Sequence, residues 1–361
     1  MSASSTAASI EPGLEWQVYR FADDDADGVV SLFRSVYGEG YPVRTYLEPA
    51  LLIAENTASR TISSVAKTSR GDVVGHNALF NSAPHPGTYE SGAGVVHATY
   101  RGGKGIFTAL AAHGLELAPT LPQVDLVFGE PVCNHPFSQK LMHRLNFVSR
   151  ALEVDLMPAA AYTTEASATG RVAAFIATRT FRSKPQTLFL PEAYRQELLF
   201  CYQEFDDQRD FATAGDVIPV GSATELQPQI FDFAAVARVP ITAVGADFAE
   251  RIAALEEELA ARRIIVSQLW LRLDCPWLGE AVDILRQRGY FLGGALPRWF
   301  DVDGLLMQKI GKNPDWEGIC TIADREAEIL RLVRADWQRS LEWAFNTYLI
   351  LEQTYGNNDT Q

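Results

Sequence analysis

Apolar and polar positions alternate in blocks along the chain, and their periods predict its elements. "WQVYRF" (16–21) reads as a strand. "DDDADGVVSLFRSVYG" (23–38) reads as a helix, with acidic residues at its start and Val29, Leu32, Phe33 and Val36 at helical spacing. "TISSVAKTS" (61–69) and "DVVGHNALFNSA" (72–83) read as two strands joined by a turn at "RGD". "AGVVHAT" predicts another strand and "FTALAAHGLELA" a helix. "VDLVFGEPV" (124–132) is apolar enough to be a strand buried on both faces. A helix over 135–147 and strands over 149–157 and 171–181 complete an order β-α-β-β-β-α-β-α-β-β. That order predicts a mixed-sheet α/β domain.

The pattern then returns. A strand at 186–191 and a helix at 192–205 lead through a looser stretch to a strand segment within 231–245. A helix (247–263), a strand (264–273), a helix (277–289) and a last pair of strands follow. "VDLVFGEPVCNHPFSQKLMHRLNF" from Val124 and "IVSQLWLRLDCPWLGEAVDILRQRGYF" from Ile265 both run from an apolar strand through Cys and Pro into a helix and on to an aromatic. Cys133 and Cys275 take matching places. The reading is a duplication: a leader over 1–14, a first domain over 15–183, a second over 184–311 and a helical extension over 312–361. In the extension Ile329, Val333, Trp337 and Leu341 form a stripe at i, i+4 spacing. That stripe predicts docking on the second domain, with a homodimer contact as the alternative to a monomer.

Composition narrows the class. With 361 residues, 47% hydrophobic and 21% charged, the chain has the makeup of a globular protein of about two domains. A net charge of −14 argues against a broad nucleic-acid or anionic-membrane footprint, since such surfaces depend on dense Lys and Arg. The four cysteines, Cys133, Cys201, Cys275 and Cys320, lie far apart without C-x-x-C spacing, so neither a zinc site nor a disulfide framework is expected. The start "MSASSTAASIEPG" lacks the basic and apolar regions of a secretory signal, and a cytoplasmic location is the expectation.

Chemistry concentrates in "GVVHATYRGGKGIFTALAAHGLE" (94–116). Between strand and helix stand Arg101, Gly102, Gly103, Lys104 and Gly105. A helix start offers backbone N–H groups with no internal partner and a partial positive charge. Glycines admit positive φ and close approach of a bulky anion, and the two basic side chains add charge. The stretch therefore reads as a pyrophosphate cradle. A Walker A loop and a dinucleotide fingerprint are both ruled out by spacing.

These residues resemble motif A of the GNAT N-acetyltransferase superfamily, whose loop is R/Q-x-x-G-x-G/A and is commonly preceded by V-H-P-x-Y. Val96-His97 and Tyr100-Arg101 match on the left, and Lys104-Gly105-Ile106-Phe107 on the right. Gly102-Gly103 gives the loop one extra glycine. The resemblance spans the element order of 15–183, and "NHPFSQKLMHRLNF" is similar to the family's motif B. It implies a GNAT fold, here two GNAT-like domains in tandem plus a C-terminal helix. It also implies an acetyl-CoA or other acyl-CoA donor and transfer to the amine of a small molecule.

By the same resemblance, the backbone from Arg101 to Ile106 would hold the pyrophosphate, and Val95, Val96 and His97 would pair with the pantetheine arm. Asn134 and Ser138 would contact that arm from the other side, and the thioester would lie where strands four and five part. The family's usual acid, a motif B tyrosine, is replaced by Met142. Glu130, after strand five, is the first candidate base, as a carboxylate whose apolar surroundings would weaken its acidity. His97 is the second; His135, Glu90 and a nucleophilic Cys133 rank lower. The second domain's matching junction, "VPITAVGADFAERI", has one glycine, no basic residue in the loop and an aspartate, so a degenerate half without a donor site is expected. Two alternatives remain open: a donor thioester carried on an acyl carrier protein, and a non-catalytic module that binds acyl-CoA or an amino acid.

Overall fold

The computed structural model describes residues 10–103, 105–159 and 170–355, the side chains of 342–355 excepted. The chain divides into two compact units, one running to Phe128 and the other beginning at Gly129. The division thus falls inside the span expected for the first domain, not near residue 184. Its cause is visible in the second unit, where strands from both halves of the sequence share one sheet.

The first unit opens with β1 (Trp16–Arg20), α1 (Ala26–Tyr37) and α2 (Pro49–Thr57), followed by β2 (Thr61–Thr68), β3 (Val73–Asn81) and β4 (Thr88–Val96). α3 (Ile106–Leu117) then leads into β5 (Leu126–Gly129). β1 to β4 pair antiparallel in sequence order, and β5 joins β4 in parallel. α1 seals one face of the sheet with Val29, Leu32 and Phe33 against Val65 and Val95. α3 covers the opposite face, packing Ile106 and Leu110 with Tyr100, Val74 and Ala66. The predicted elements are all present, and α2 is added. Its Pro49 sits at the start of the helix, where the missing N–H costs nothing, and Leu52 is its one fully buried residue.

The second unit contains α4 (Phe137–Arg144), β6 (Val148–Pro158), β7 (Arg171–Thr180), β8 (Gln186–Leu190), α5 (Arg195–Cys201), β9 (Arg209–Thr213), β10 (Glu225–Leu226) and β11 (Gln229–Phe231). It continues through β12 (Val236–Ala243), α6 (Phe248–Ala261), β13 (Val266–Arg272), α7 (Leu278–Gln287), β14 (Phe291–Leu296), β15 (Gly304–Ile310) and α8 (Asp324–Tyr355). Its sheet runs β7-β6-β14-β15-β13-β12-β10, and β8 and β9 form a separate parallel pair. The residues continuing β5 lie antiparallel on β7, with Cys133 N–H donating to Ala173 and Phe175 N–H to Pro131.

The strands of the two halves share an order of neighbours. In one half the chain after β5 pairs β7, and β7 pairs β6; in the other β13 pairs β15, and β15 pairs β14. The halves meet at Gly294 and Ala151, where β14 joins β6. Ile329 and Val333 of α8 are buried in a cluster with Leu152 and Val154 of the expected first domain as well as Phe291 of the second, and Leu341 is exposed, so the helix does not dock on the second domain alone as the stripe predicted. Among the described residues, no helix is long and apolar enough to cross a membrane.

Candidate active site

The glycine loop expected to form the cradle lies at the exit of β4. Val95 pairs with His76 and Val96 with Gly75, and His97 N–H donates to the carbonyl of Val74. The chain then makes one tight turn over Ala98–Tyr100, anchored by the buried Tyr100, whose hydroxyl donates to Glu11 and accepts from Leu14 N–H. Gly102, Gly103 and Gly105 follow with φ of +85°, +85° and +73°. At each, a Cβ would meet nothing within 4 Å, so these glycines are set by backbone conformation rather than by crowding.

Gly105 caps α3 without a side-chain hydrogen bond. The first-turn amides of Ile106, Phe107 and Thr108 therefore start the helix in the manner suited to an anion. Ile106 itself is buried and locks the helix start to the sheet. Lys104 lies outside the described residues.

The amide of Arg101, one of the expected phosphate donors, is instead bonded to the carbonyl of Ala98. The Arg101 guanidinium is exposed, yet its Nε is turned back 2.9 Å onto the carbonyl of Val96, on the strand expected to carry the pantetheine. His97 is half-buried, with Nδ1 2.9 Å from the hydroxyl of Thr99. Its pKa is lowered, mainly by burial and then by Arg101, which keeps the ring neutral. This geometry makes His97 an anchor of the strand end.

The parting of the central strands is explicit. β4 and β5 pair only at Thr88–Leu126, Tyr89–Val127 and Glu90–Phe128, after which residues 91–96 run on without β5. A bulge accompanies the parting: the register with β3 slips between His76 and Ala78, and Ala93 takes φ +50°. The Ala93 carbonyl is held 2.9 Å from Nδ1 of buried His76, whose Nε2 contacts Ser63. Burial lowers the His76 pKa to about 4, so the ring that fixes the bulge is neutral. Phe33 and Tyr46 pack edge-on against it, and Tyr41 packs against both of those rings. The Tyr41 hydroxyl is pushed up by burial first and then by the nearby Tyr37 and Glu90. Sequence reasoning missed this aromatic group, which is assembled from α1 and the turns after it.

On the second unit's side, Glu130 follows β5 directly. Its Oε1 accepts a 2.7 Å bond from Nη2 of Arg238 on β12, and the same nitrogen reaches Glu153 Oε1 on β6 at 3.0 Å. Glu130 is thus not the lone carboxylate among apolar groups that the sequence suggested. The Glu153 carboxyl is the one pushed up to about 8, chiefly by burial and then by the charge of Glu130. Asn134 and Ser138 are half-buried; the Ser138 hydroxyl donates to the carbonyl of Val132, tying down the start of α4. Met142 is buried in α4 and carries no proton to give. Cys133 is fully buried and burial pushes its thiol up, which fits packing and not attack. All four cysteines are free.

The second half lacks this architecture. β12 and β13 stay paired from Val236–Val266 to Ile241–Leu271, so they do not part. At the start of α6, Asp247 Oδ1 accepts the Thr224 N–H, placing the chain's own carboxylate where an anion would sit. A cavity of about 250 Å³ at the ends of β12 and β13 is lined by Ala243, Arg272, Cys275 and Trp277, but Arg272 is bound through two nitrogens to Asp274.

No protein-family model matches the chain, and no curated protein sequence matches it. Solved structures similar to it include a ribosomal-protein-S5-alanine acetyltransferase from Vibrio fischeri, at 13% identity and TM-score 0.36, covering 46% of this chain and 92% of that one. A spermidine/spermine N-acetyltransferase, SpeG from Vibrio cholerae, is also similar at 13% identity and TM-score 0.36, covering 46% and 95%. An N-acetyltransferase from Staphylococcus aureus Mu50 has 15% identity and TM-score 0.38, covering 46% and 99%. The chain is therefore similar over about half its length to structures described as N-acetyltransferases.

Proposed function

We propose that this protein is an N-acyltransferase that moves an acyl group, acetyl in the simplest case, from acyl-CoA to the amine of a small molecule. The observation that carries the reading is the joint presence, in one unit, of the glycine cradle at the head of α3 and the parting of β4 from β5. The cradle suits a pyrophosphate: the Gly102, Gly103, Gly105 and Ile106 backbone, with Arg101 and Lys104 adding positive charge. The freed edge of β4, Val95 and Val96 included, suits an extended arm that bonds like an added strand. A thioester placed where the strands separate would meet an amine held by Glu90 and the Tyr37–Tyr41 pair, whose rings lie 5.0 Å apart. Positioning supplies a substantial share of the rate enhancement in such a direct transfer.

A cytoplasmic protein acting without metal fits this reading. An acyl carrier protein as donor remains the second enzymatic reading, because the loop carries one glycine more than the motif it resembles. Thiol release from acetyl-CoA across a pooled amine panel, run beside a CoA thermal-shift assay, tests the proposal. Turnover with a CoA-induced shift supports it. A shift without turnover on any amine favours a binding module, and transfer from acyl carrier protein without a CoA shift favours the other donor.

A further inference from the structure

The second unit has a hollow of its own. β12 and β13 run parallel with α6 between them in sequence, and a cavity of about 250 Å³ lies where the pair ends. The carboxyl ends of parallel strands are where α/β sheets commonly receive ligands. Ile241 and Val244 line the cavity from the end of β12. Arg272, Asp274, Cys275 and Trp277 line it from the stretch that leaves β13.

The charged part of this lining is held in place by its neighbours. Arg272 is the last residue of β13, and Asp274 follows two residues later. The Arg272 Nε and Nη2 donate to the two Asp274 carboxylate oxygens at 2.9 and 2.7 Å. The guanidinium also lies over the Phe300 ring, 5.9 Å from its centroid. Trp277 donates from Nε1 to the Val244 carbonyl at 3.0 Å, which ties the indole to the end of β12. Both charged side chains stay about one-third exposed, 32% and 35%, so a ligand can reach them from solvent.

The dimensions and the charges select the ligand. The volume falls below the roughly 300–1,000 Å³ of sites for drug-sized molecules, so the occupant is small. A phosphate has no seat here, because Asp247 stands at the head of α6. What the cavity offers is a positive and a negative group side by side. Arg272 Nη1 has no hydrogen bond among the described residues, and a guanidinium edge suits a carboxylate. Each Asp274 oxygen accepts one bond from Arg272 and keeps a lone pair for an ammonium. A ligand with a carboxylate alone would lie against Asp274, and one with an ammonium alone against Arg272. A zwitterion meets both groups favourably. Ile241, Val244 and the Trp277 ring then offer apolar surface to its side chain.

We propose that this cavity binds a small α-amino acid with an apolar side chain, its carboxylate on Arg272 and its ammonium on Asp274. The site lies wholly within the second unit and does not depend on the acyltransferase reading. It gives the half without a donor site a binding role of its own. Cys275 takes no chemical part, since burial raises its thiol, but its place in the lining makes it a reporter of occupancy.

The test uses the full chain. Calorimetry is run with L-alanine, L-valine, L-leucine, L-methionine and L-phenylalanine, and with 4-methylpentanoate and 3-methylbutylamine as single-charge controls. Alkylation of Cys275 by iodoacetamide at about pH 8.5, where a thiol begins to ionise, is followed peptide by peptide, with half-buried Cys320 as the internal control. At least one of the amino acids is expected to bind near one per chain and to slow alkylation of Cys275 but not of Cys320. Both controls are expected to bind about tenfold more weakly or worse, as are Arg272→Gln and Asp274→Asn with the amino acid. The melting temperatures of the two variants should stay close to wild type, because a pair this exposed adds little stability. Failure of all five amino acids to bind overturns the proposal. So does a control that binds as well as the amino acid, or affinity unchanged in Asp274→Asn and Arg272→Gln.

Discussion

Glu90 and Phe128 form the last rung between β4 and β5. One residue further, the parallel pair is over, and the backbone of β4 has an edge to offer a ligand. In the second half β12 and β13 stay paired from Val236–Val266 to Ile241–Leu271, and only Thr242 and Ala243 of β12 run beyond that last rung. The chain is therefore expected to bind one CoA and not two. Calorimetric titration should return a stoichiometry near one per chain; a value of two would show that the second half has a working donor site despite Asp247 at the head of α6.

Charge at the cradle should matter more than its surroundings suggest. Arg101 is exposed and its Nε donates to the Val96 carbonyl, so no core packing is lost when it is changed. Reversing both basic residues, Arg101→Glu with Lys104→Glu, is expected to weaken CoA binding tenfold or more, on the order of 1.4 kcal/mol. Unchanged affinity would remove the pyrophosphate assignment. The effect should shrink as salt rises, because Arg101 is open to solvent.

Two glycines separate conformational need from steric need. Gly102 has φ +85° and open space where a Cβ would stand, so Gly102→Ala is expected to cost only the left-handed backbone, roughly 1–2 kcal/mol, and to show mainly in CoA binding. Gly294 has φ +135°, and its Cβ would lie 2.5 Å from the Arg150 carbonyl oxygen and 2.6 Å from the Ala151 Cα, at the joint of β14 and β6. Gly294→Ala is expected to destabilise the fold by more than about 3 kcal/mol, in the range reserved for backbone clashes and buried strain. Equal melting temperatures for the two variants would show that the β6–β14 joint is softer than its geometry implies.

What the sequence disclosed and what it hid follow from the range of the interactions. The loop was legible because Gly102, Gly103 and Gly105 are local demands of backbone conformation, written where they act. Most strands and helices of both halves were legible through their periods, but β9, β10 and β11 fall in the stretch read as loose. α2 was not, because a nine-residue helix with one fully buried residue leaves almost no stripe. Glu130 was found, but its partner was not: Arg238 lies 108 residues away, and nothing along the chain announces which strand carries the facing cation. Arg238 instead read as part of an ordinary apolar strand. The division at Phe128 was hidden for the same reason, since it depends on β6 finding β14 across more than a hundred residues.

Two buried groups should give the stability opposite responses to pH. His76, in the first unit, has its pKa depressed from 6.5 to about 4 by burial. Between those values the unfolded chain holds a proton that the folded one lacks, so this group's contribution falls as pH drops from about 6.5 toward 4. Glu153, in the second unit, is raised from 4.5 to about 8. Between those values the folded chain holds a proton that the unfolded one has released, so its contribution is present at low pH and is lost as pH rises toward 8. Each slope is bounded by about 1.4 kcal/mol per pH unit. In Glu153→Gln the difference in melting temperature from wild type should therefore change in favour of the variant between pH 5 and pH 8, with the second unit's transition affected. In His76→Gln the change should favour the variant as pH falls from 7 to 4.5, in the first unit's transition. Parallel pH curves for wild type and Glu153→Gln would mean that the carboxyl stays ionised in the fold, held so by Arg238 against the cost of its burial.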